Sequence, residues 1–296
     1  MKHTCLFLIA TALLGGKVSA QDLPACGQFN IFASLPREFD VFGFSLDMTA
    51  DYLVIGAPHL KTHDVASGRT FVFEFDMTLS EWVVTALLNA PIEVIDNQFG
   101  YAVAIDGQVL IVGSNVDTIA GIETTGSAWI FRYDLAANVW IDEAYLYADD
   151  RMTNDGFGYA VDIGQNVALV GVPFDDNDSC SGGAFECSNV GAVYVYRFDP
   201  VTLEWVEEAK LTPSDGEQNL RFGHEVALGG NIAVISAVGN SGAVYVFEYL
   251  AGSWTETAKI VSPERKRASL GAARRPPCRT DAAGWGRTSH PPGRRA

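Results

Sequence analysis

Phe99-Gly100-Tyr101-Ala102-Val103-Ala104-Ile105-Asp106-Gly107 runs directly into Gln108-Val109-Leu110-Ile111-Val112-Gly113. Two apolar, β-branched runs joined by Asp-Gly read as a hairpin, because Asp and Gly tolerate the left-handed backbone of a tight turn. The pattern occurs four times in all. Phe-Gly stands at Phe42-Gly43, Phe99-Gly100, Phe157-Gly158 and Phe222-Gly223. Fourteen residues after each Phe an aliphatic run ends on a small residue: Gly56, Gly113, Gly171 and Ser236. A third run carries rings at alternate positions: Phe71/Phe73/Phe75, Trp129/Phe131/Tyr133, Tyr194/Tyr196/Phe198 and Tyr245/Phe247/Tyr249. Trp82, Trp140, Trp205 and Trp254 follow, and each of the first three lies 17 residues before the next Phe-Gly. Recurrence on this scale marks a repeat architecture.

Each unit reads as four strands. Period-two rings put three aromatic side chains on one face of the third strand, where sheet-to-sheet packing is their expected use. Short turns join the first two strands: Ala50-Asp51, Asp106-Gly107, Gly164-Gln165-Asn166 and Gly229-Gly230-Asn231. The fourth strand follows the Trp, as in Trp205-Val206-Glu207-Glu208-Ala209-Lys210-Leu211. No stretch carries a helical period. The expected fold is all-β: a β-propeller-like array of four four-stranded antiparallel blades, at about 39–96, 97–154, 155–219 and 220–262, with an incomplete propeller as the open alternative. The sheets are expected to begin near Asp40, Asn97, Asp155 and Arg221.

Phe99 to Gly107, Ile55-Gly56-Ala57-Pro58, Gly242-Ala243-Val244-Tyr245-Val246-Phe247 and Trp254-Thr255-Glu256-Thr257-Ala258-Lys259 resemble FG-GAP repeats, the blades of integrin-α-like propellers. The resemblance covers about residues 39–262. It implies propeller blades and a role in adhesion, carbohydrate binding or structure. Integrin-like repeats often carry an Asp-rich calcium loop between the first two strands. Here that connection is a short turn, so the resemblance is to the calcium-poor branch, and no calcium ligand carries over. Such propellers usually close with more than four blades.

The ends differ from the body. Lys2 and His3 precede an apolar run from Cys5 to Leu14, and Val18-Ser19-Ala20 offers a cleavage site, so residues 1–20 read as a secretory signal and the protein as extracellular. No later stretch is long enough for a membrane-spanning helix. Residues 263–296 turn basic and rich in Pro, Gly and Ala, and read as a disordered tail or a misread gene end. Of the chain's 20 Lys and Arg and 36 Asp and Glu, residues 21–262 hold 9 and 34. Such a body disfavours nucleic acid and anionic membrane and favours cations or basic partners. Cys180 and Cys187 flank a flexible Gly-rich span and read as a local disulfide; Cys26 and Cys278 pair or stay free.

No catalytic constellation emerges. His224-Glu225 lacks the second His of a zinc-protease motif, since Leu228 stands there. His59 and His63 fall in a loop, and neighbouring acids on a strand, such as Glu207-Glu208, point to opposite faces. The expected function is a secreted, non-catalytic interaction module for a protein or glycan ligand. The rivals are an exported hydrolase or lyase on the same scaffold, and a gene fragment without independent function. In an up-and-down sheet the loops between strands two and three share one edge with the connections between units. The interval from the small residue to the Gly opening strand three varies there, at 12, 13, 20 and 6 residues. Variable loops on a constant frame are where recognition concentrates. The candidate ligand-face residues are therefore Asp149, Asp150, Asp175, Asp176 and Asp178. Ca²⁺ is the one cofactor candidate, through Asp175-Asp176-Asn177-Asp178, and Asn177 begins a glycosylation sequon.

Overall fold

The computed structural model describes residues 41–62, 65–91, 97–176 and 188–262. The chain divides at Val261/Ser262, next to the change of composition, and the described residues fall almost wholly in the first unit. The signal segment, Cys26, Asn177, Asp178, the Cys180–Cys187 pair, His63, the tail and Cys278 lie outside the described residues.

Every regular element among the described residues is a strand. Sheet 1 contains β1 (Ser45–Met48), β2 (Tyr52–Ala57), β5 (Arg69–Asp76) and β6 (Glu81–Leu88). The two-residue strands β3 (Lys61–Thr62) and β4 (Val65–Ala66) pair with each other in the loop between β2 and β5. Sheet 2 is β7 (Ala102–Asp106), β8 (Val109–Ser114), β9 (Ser127–Asp134) and β10 (Val139–Leu146). Sheet 3 is β11 (Ala160–Gly164), β12 (Val167–Val172), β13 (Ala192–Asp199) and β14 (Glu204–Leu211). Sheet 4 is β15 (Phe222–Gly229), β16 (Ile232–Ala237), β17 (Ala243–Leu250) and β18 (Ser253–Ile260). All four are antiparallel meanders in chain order, as the repeat predicts. In the first three the Phe-Gly precedes the first strand rather than opening it. It forms a turn in which Gly43, Gly100 and Gly158 hold φ of 88°, 90° and 84°.

The sheets pack in sequence. The ring-bearing face of each meets the aliphatic face of the one before. Ile111 and Ile130 of sheet 2 share a core with Phe157, Tyr194, Tyr196 and Trp205 of sheet 3. Leu169 and Val195 of sheet 3 meet Phe222, Tyr245 and Phe247 of sheet 4. The Phe of each Phe-Gly lies across its own sheet's rings, as Phe222 does over Tyr245 and Phe247 at 5.3 and 5.9 Å. Its N–H bonds the sheet before: Phe99 to Ser67 O, Phe157 to Thr125 O and Phe222 to Val190 O, at 2.9–3.1 Å. This contact explains the small residues. A Cβ on Gly56, Gly113 or Gly171 would lie 2.1 Å from the carbonyl of Gly100, Gly158 or Gly223. Ser236 holds the same position in sheet 4, the last of the four sheets.

A second regularity was not legible from spacing. Each pairing of third and fourth strands carries a bulge at the same place, next to Thr85, Glu143, Glu208 and Thr257. A bulge re-aims one side chain. Here it turns Glu143 toward Arg132 at 2.6 Å and Glu208 toward Arg197 at 2.7 Å. The same carboxylates accept Trp205 Nε1–H and Trp254 Nε1–H from the following sheet, both at 3.0 Å. Thr85 is too short for this, and the Trp140 Nε1–H it would meet finds no partner among the described residues.

Candidate functional site

Asp149 and Asp150 follow β10 in the connection to sheet 3. The connection leaves the same edge as the loop between β12 and β13, which carries Asp175 and Asp176. The structure brings two of these four acids together on one cation: Lys210 Nζ lies 2.8 Å from both Asp150 Oδ2 and Asp175 Oδ2. Tyr194 Oη–H donates to the other oxygen of Asp150. Asp176 accepts the Asn189 N–H at 2.7 Å. An open depression of about 420 Å³ results, lined by Asp149, Asp150, Tyr194, Glu207 and Lys210.

The repeat explains much of this arrangement. Asp150 has a counterpart in Asp215, Tyr194 in Tyr245 and Lys210 in Lys259. Asp215 accepts Tyr245 Oη–H at 2.8 Å and pairs with Lys259. Asp–Tyr–Lys is thus a clamp used twice, tying the chain that enters a sheet to its third and fourth strands. In sheet 2 two rings stand at the Tyr and Lys positions, Trp129 and Tyr145, stacked at 4.2 Å. Asp175 likewise has a counterpart, Asp117, whose carboxylate takes Ser127 Oγ–H and Tyr145 Oη–H. The backbone carbonyls of Asp117 and Asp175 each close their loop onto Gly126 and Gly191 at 3.0 Å. Asp150 and Asp175 therefore have structural work, whereas Asp149 and Glu207 project into the depression with no hydrogen-bond partner among the described residues.

Electrostatics separates the acids. Burial raises Asp150, but bonds from Lys210 and Tyr194 outweigh it and hold the group below the usual carboxylate range. Burial pushes Asp175 up to about 6 despite its bond to Lys210, with Asp150 and Asp176 adding repulsion. Asp155, buried in the same connection, is pushed up to about 7 by burial, although it accepts the Met152 N–H. Glu207 is raised by lost hydration, then by Asp150 and Asp149. The depression thus holds more negative charge than its one lysine offsets. Among the described residues no three His, Cys, Asp or Glu side chains converge as a metal cage.

A second line of side chains follows the innermost strands. Phe44, Tyr101, Tyr159 and His224, each next after a Phe-Gly, stack in a ladder with centroids 4.9, 5.1 and 5.0 Å apart. It places His224 Nε2 3.3 Å from Tyr159 Oη. His224 is thereby a rung of a packing column, with its neighbour Glu225 exposed beside it.

No curated protein matches the chain. The FG-GAP repeat family matches it three times, at residues 82–131, 140–196 and 205–247, together about half of the sequence. Each match runs from the Trp of one sheet through the following Phe-Gly to the ring-bearing strand of the next. With four such sheets docked in series through the Phe-Gly turns of sheets 2 to 4, the protein belongs to the FG-GAP repeat family and is a β-propeller-type module.

Proposed function

We propose that the protein is an exported, non-catalytic interaction module whose sheet-3 edge binds a basic side chain of a protein partner. The observation that carries this reading is the excess of negative charge around Lys210. Asp149 and Glu207 face an open depression, and Glu207 is raised first by lost hydration and then by the acids beside it. An incoming guanidinium would offset that negative charge by pairing with the two carboxylates. Export rests on the residues of the N-terminal 20. Glu207 raised and Asp150 lowered is also a pairing that acid–base chemistry uses. Repetition of the Asp–Tyr–Lys set at Asp215, Tyr245 and Lys259 favours a structural clamp over a catalytic couple.

The test is a titration with an acetylated, amidated peptide carrying spaced arginines, followed by fluorescence anisotropy. The double variant Asp149→Asn/Glu207→Gln should weaken binding at least about tenfold, or 1.4 kcal/mol. Glu74→Gln/Glu81→Gln, which removes the same charge from exposed positions of sheet 1, should change it little. Equal effects from the two pairs would mean that only net charge attracts the peptide. Ca²⁺ and a neutral oligosaccharide serve as competitors: displacement of the peptide by Ca²⁺ would assign the acids to the metal, and displacement by the sugar would assign the edge to glycans.

A further inference from the structure

Three inter-sheet contacts among the described residues follow one rule, and the side chains that would serve each of its halves are exposed on sheets 1 and 4. The first strand of each following sheet, β7, β11 or β15, lies against the first two strands of the sheet before. It presents two aliphatic side chains there: Val103 and Ile105 in β7, 7% and 6% exposed, and Val161 and Ile163 in β11, 9% and 6% exposed. The same positions in β1 are Leu46 and Met48, which are 66% and 50% exposed. At the other end, Val167, Leu169 and Leu211 of sheet 3 are covered by sheet 4 at 3%, 0% and 4% exposure. Their counterparts in sheet 4, Ile232, Val234 and Ile260, are 42%, 37% and 57% exposed. Single exposed aliphatics are ordinary, but a whole sheet face of them is an interaction surface.

We infer that this face of sheet 4 docks against β1 of a second copy of the chain, and that two such contacts related by a twofold axis close a ring of eight sheets. The occupant is named by the chain's own rule: the surface that covers such a face three times over is the strand after a Phe-Gly turn, and β1 is the described strand of that kind that lies against no preceding sheet. Its turn is formed. Val41 and Gly43 hold φ of 53° and 88°, as Gln98 and Gly100 do at 58° and 90° in the docked turn of sheet 2. On the receiving side Gly242, at φ 71°, repeats Gly68, Gly126 and Gly191, whose missing Cβ atoms make room for the Phe carbonyl of the next sheet. Ser236 replaces the other receiving glycine. Its Oγ accepts the Glu225 N–H at 2.9 Å, which leaves its proton for a carbonyl. A hydroxyl already meets such a carbonyl beside Gly56, where Ser45 Oγ donates to Gly100 O at 2.9 Å. Ser236 thus takes the partner's turn by a hydrogen bond, seated further out than a glycine would seat it. Eight sheets is within the range over which propellers close.

The experiment is light scattering coupled to size exclusion on the full chain, of 31.9 kDa. The expected mass is that of a dimer. Val234→Lys on the sheet-4 face and Leu46→Lys on β1 should each weaken dimerisation at least about tenfold. Mixing the two variants should restore association, because a mixed dimer keeps one undamaged contact. Both positions are exposed, so unchanged circular dichroism is expected, and Ile232→Lys with Met48→Lys provides a second pair should either variant misfold. A monomeric wild type overturns the proposal. So does a dimer broken by Val234→Lys but not by Leu46→Lys, which would mean two sheet-4 faces meeting each other.

Discussion

Replacing Gly113 by Ala measures how closely two sheets are docked. The added methyl would lie 2.1 Å from Gly158 O, 3.0 Å from Gly158 C and 3.3 Å from Gly158 Cα, all backbone atoms that cannot rotate away. A carbon–oxygen contact settles near 3.3 Å, so the Phe157-Gly158 turn must retreat by about 1.2 Å. The turn is fixed from behind: Phe157 N–H bonds Thr125 O at 2.9 Å, and Gly126 leaves no slack against Phe157 O. Overpacking of this kind costs about 1–3 kcal/mol, and a strained or broken Phe157 bond adds about 0.5–1.5 kcal/mol, so about 2–4 kcal/mol is expected. Gly229→Ala is the matched control, because its Cβ would meet no atom within 4 Å; it should stay within about 0.5 kcal/mol of wild type. Urea denaturation followed by tryptophan fluorescence reads both. If Gly113→Ala costs no more than Gly229→Ala, the glycines of the repeat are not there to admit the next turn.

Lys210→Met strands the buried Asp175 carboxylate and should cost about 1–3 kcal/mol. Lys259→Met frees only the half-exposed Asp215 and should cost under about 1 kcal/mol; a reversed order in thermal or urea unfolding would refute the burial argument. Asp155 and Asp175, raised to about 7 and about 6, keep protons in the folded chain that the unfolded chain has released. Their contribution is most favourable near pH 4 and is lost as pH rises toward 7, so wild-type stability should fall across that interval. Asp155→Asn should flatten the fall, and an unchanged slope in urea midpoints at pH 4.5, 6 and 7.5 would count against it.

The four sheets were legible because turn chemistry and period-two rings act locally, within a hairpin of about a dozen residues. Gly56, Gly113 and Gly171 were legible as a repeat but not as a contact, because their cause lies in Gly100, Gly158 and Gly223 of the next unit. Asp149, Asp150, Asp175 and Asp176 were read as one acidic rim. Spacing could not separate them, because the separation is made by Lys210, a side chain that sits in a strand pattern and gives no signal of its own. The register 146-to-150 against 211-to-215 could have found it: Asp recurs four residues after the Leu that ends the fourth strand, and a Lys precedes that Leu in the later copy. Glu143 and Glu208 were missed for a different reason. A bulge changes which face a residue takes, and nothing in an alternating pattern announces the extra residue.

The family matches and the sheets are out of step: residues 140–196 begin in the outer strand of sheet 2 and end in the third strand of sheet 3. No sheet is made by one unit. Sheets 1 to 3 each take their last strand from the unit that opens the next sheet, so a gene that gains a unit by duplication gains the closing strand of one sheet and the opening strands of another at once. The newcomer is stitched to both neighbours before it has evolved any surface of its own. Loss is equally seamless, since excision between two tryptophans rejoins a third strand to a fourth at a turn every unit already shares. Blade number is therefore a quantity that unequal recombination can change in a single event, while the interfaces that hold the blades stay as they were.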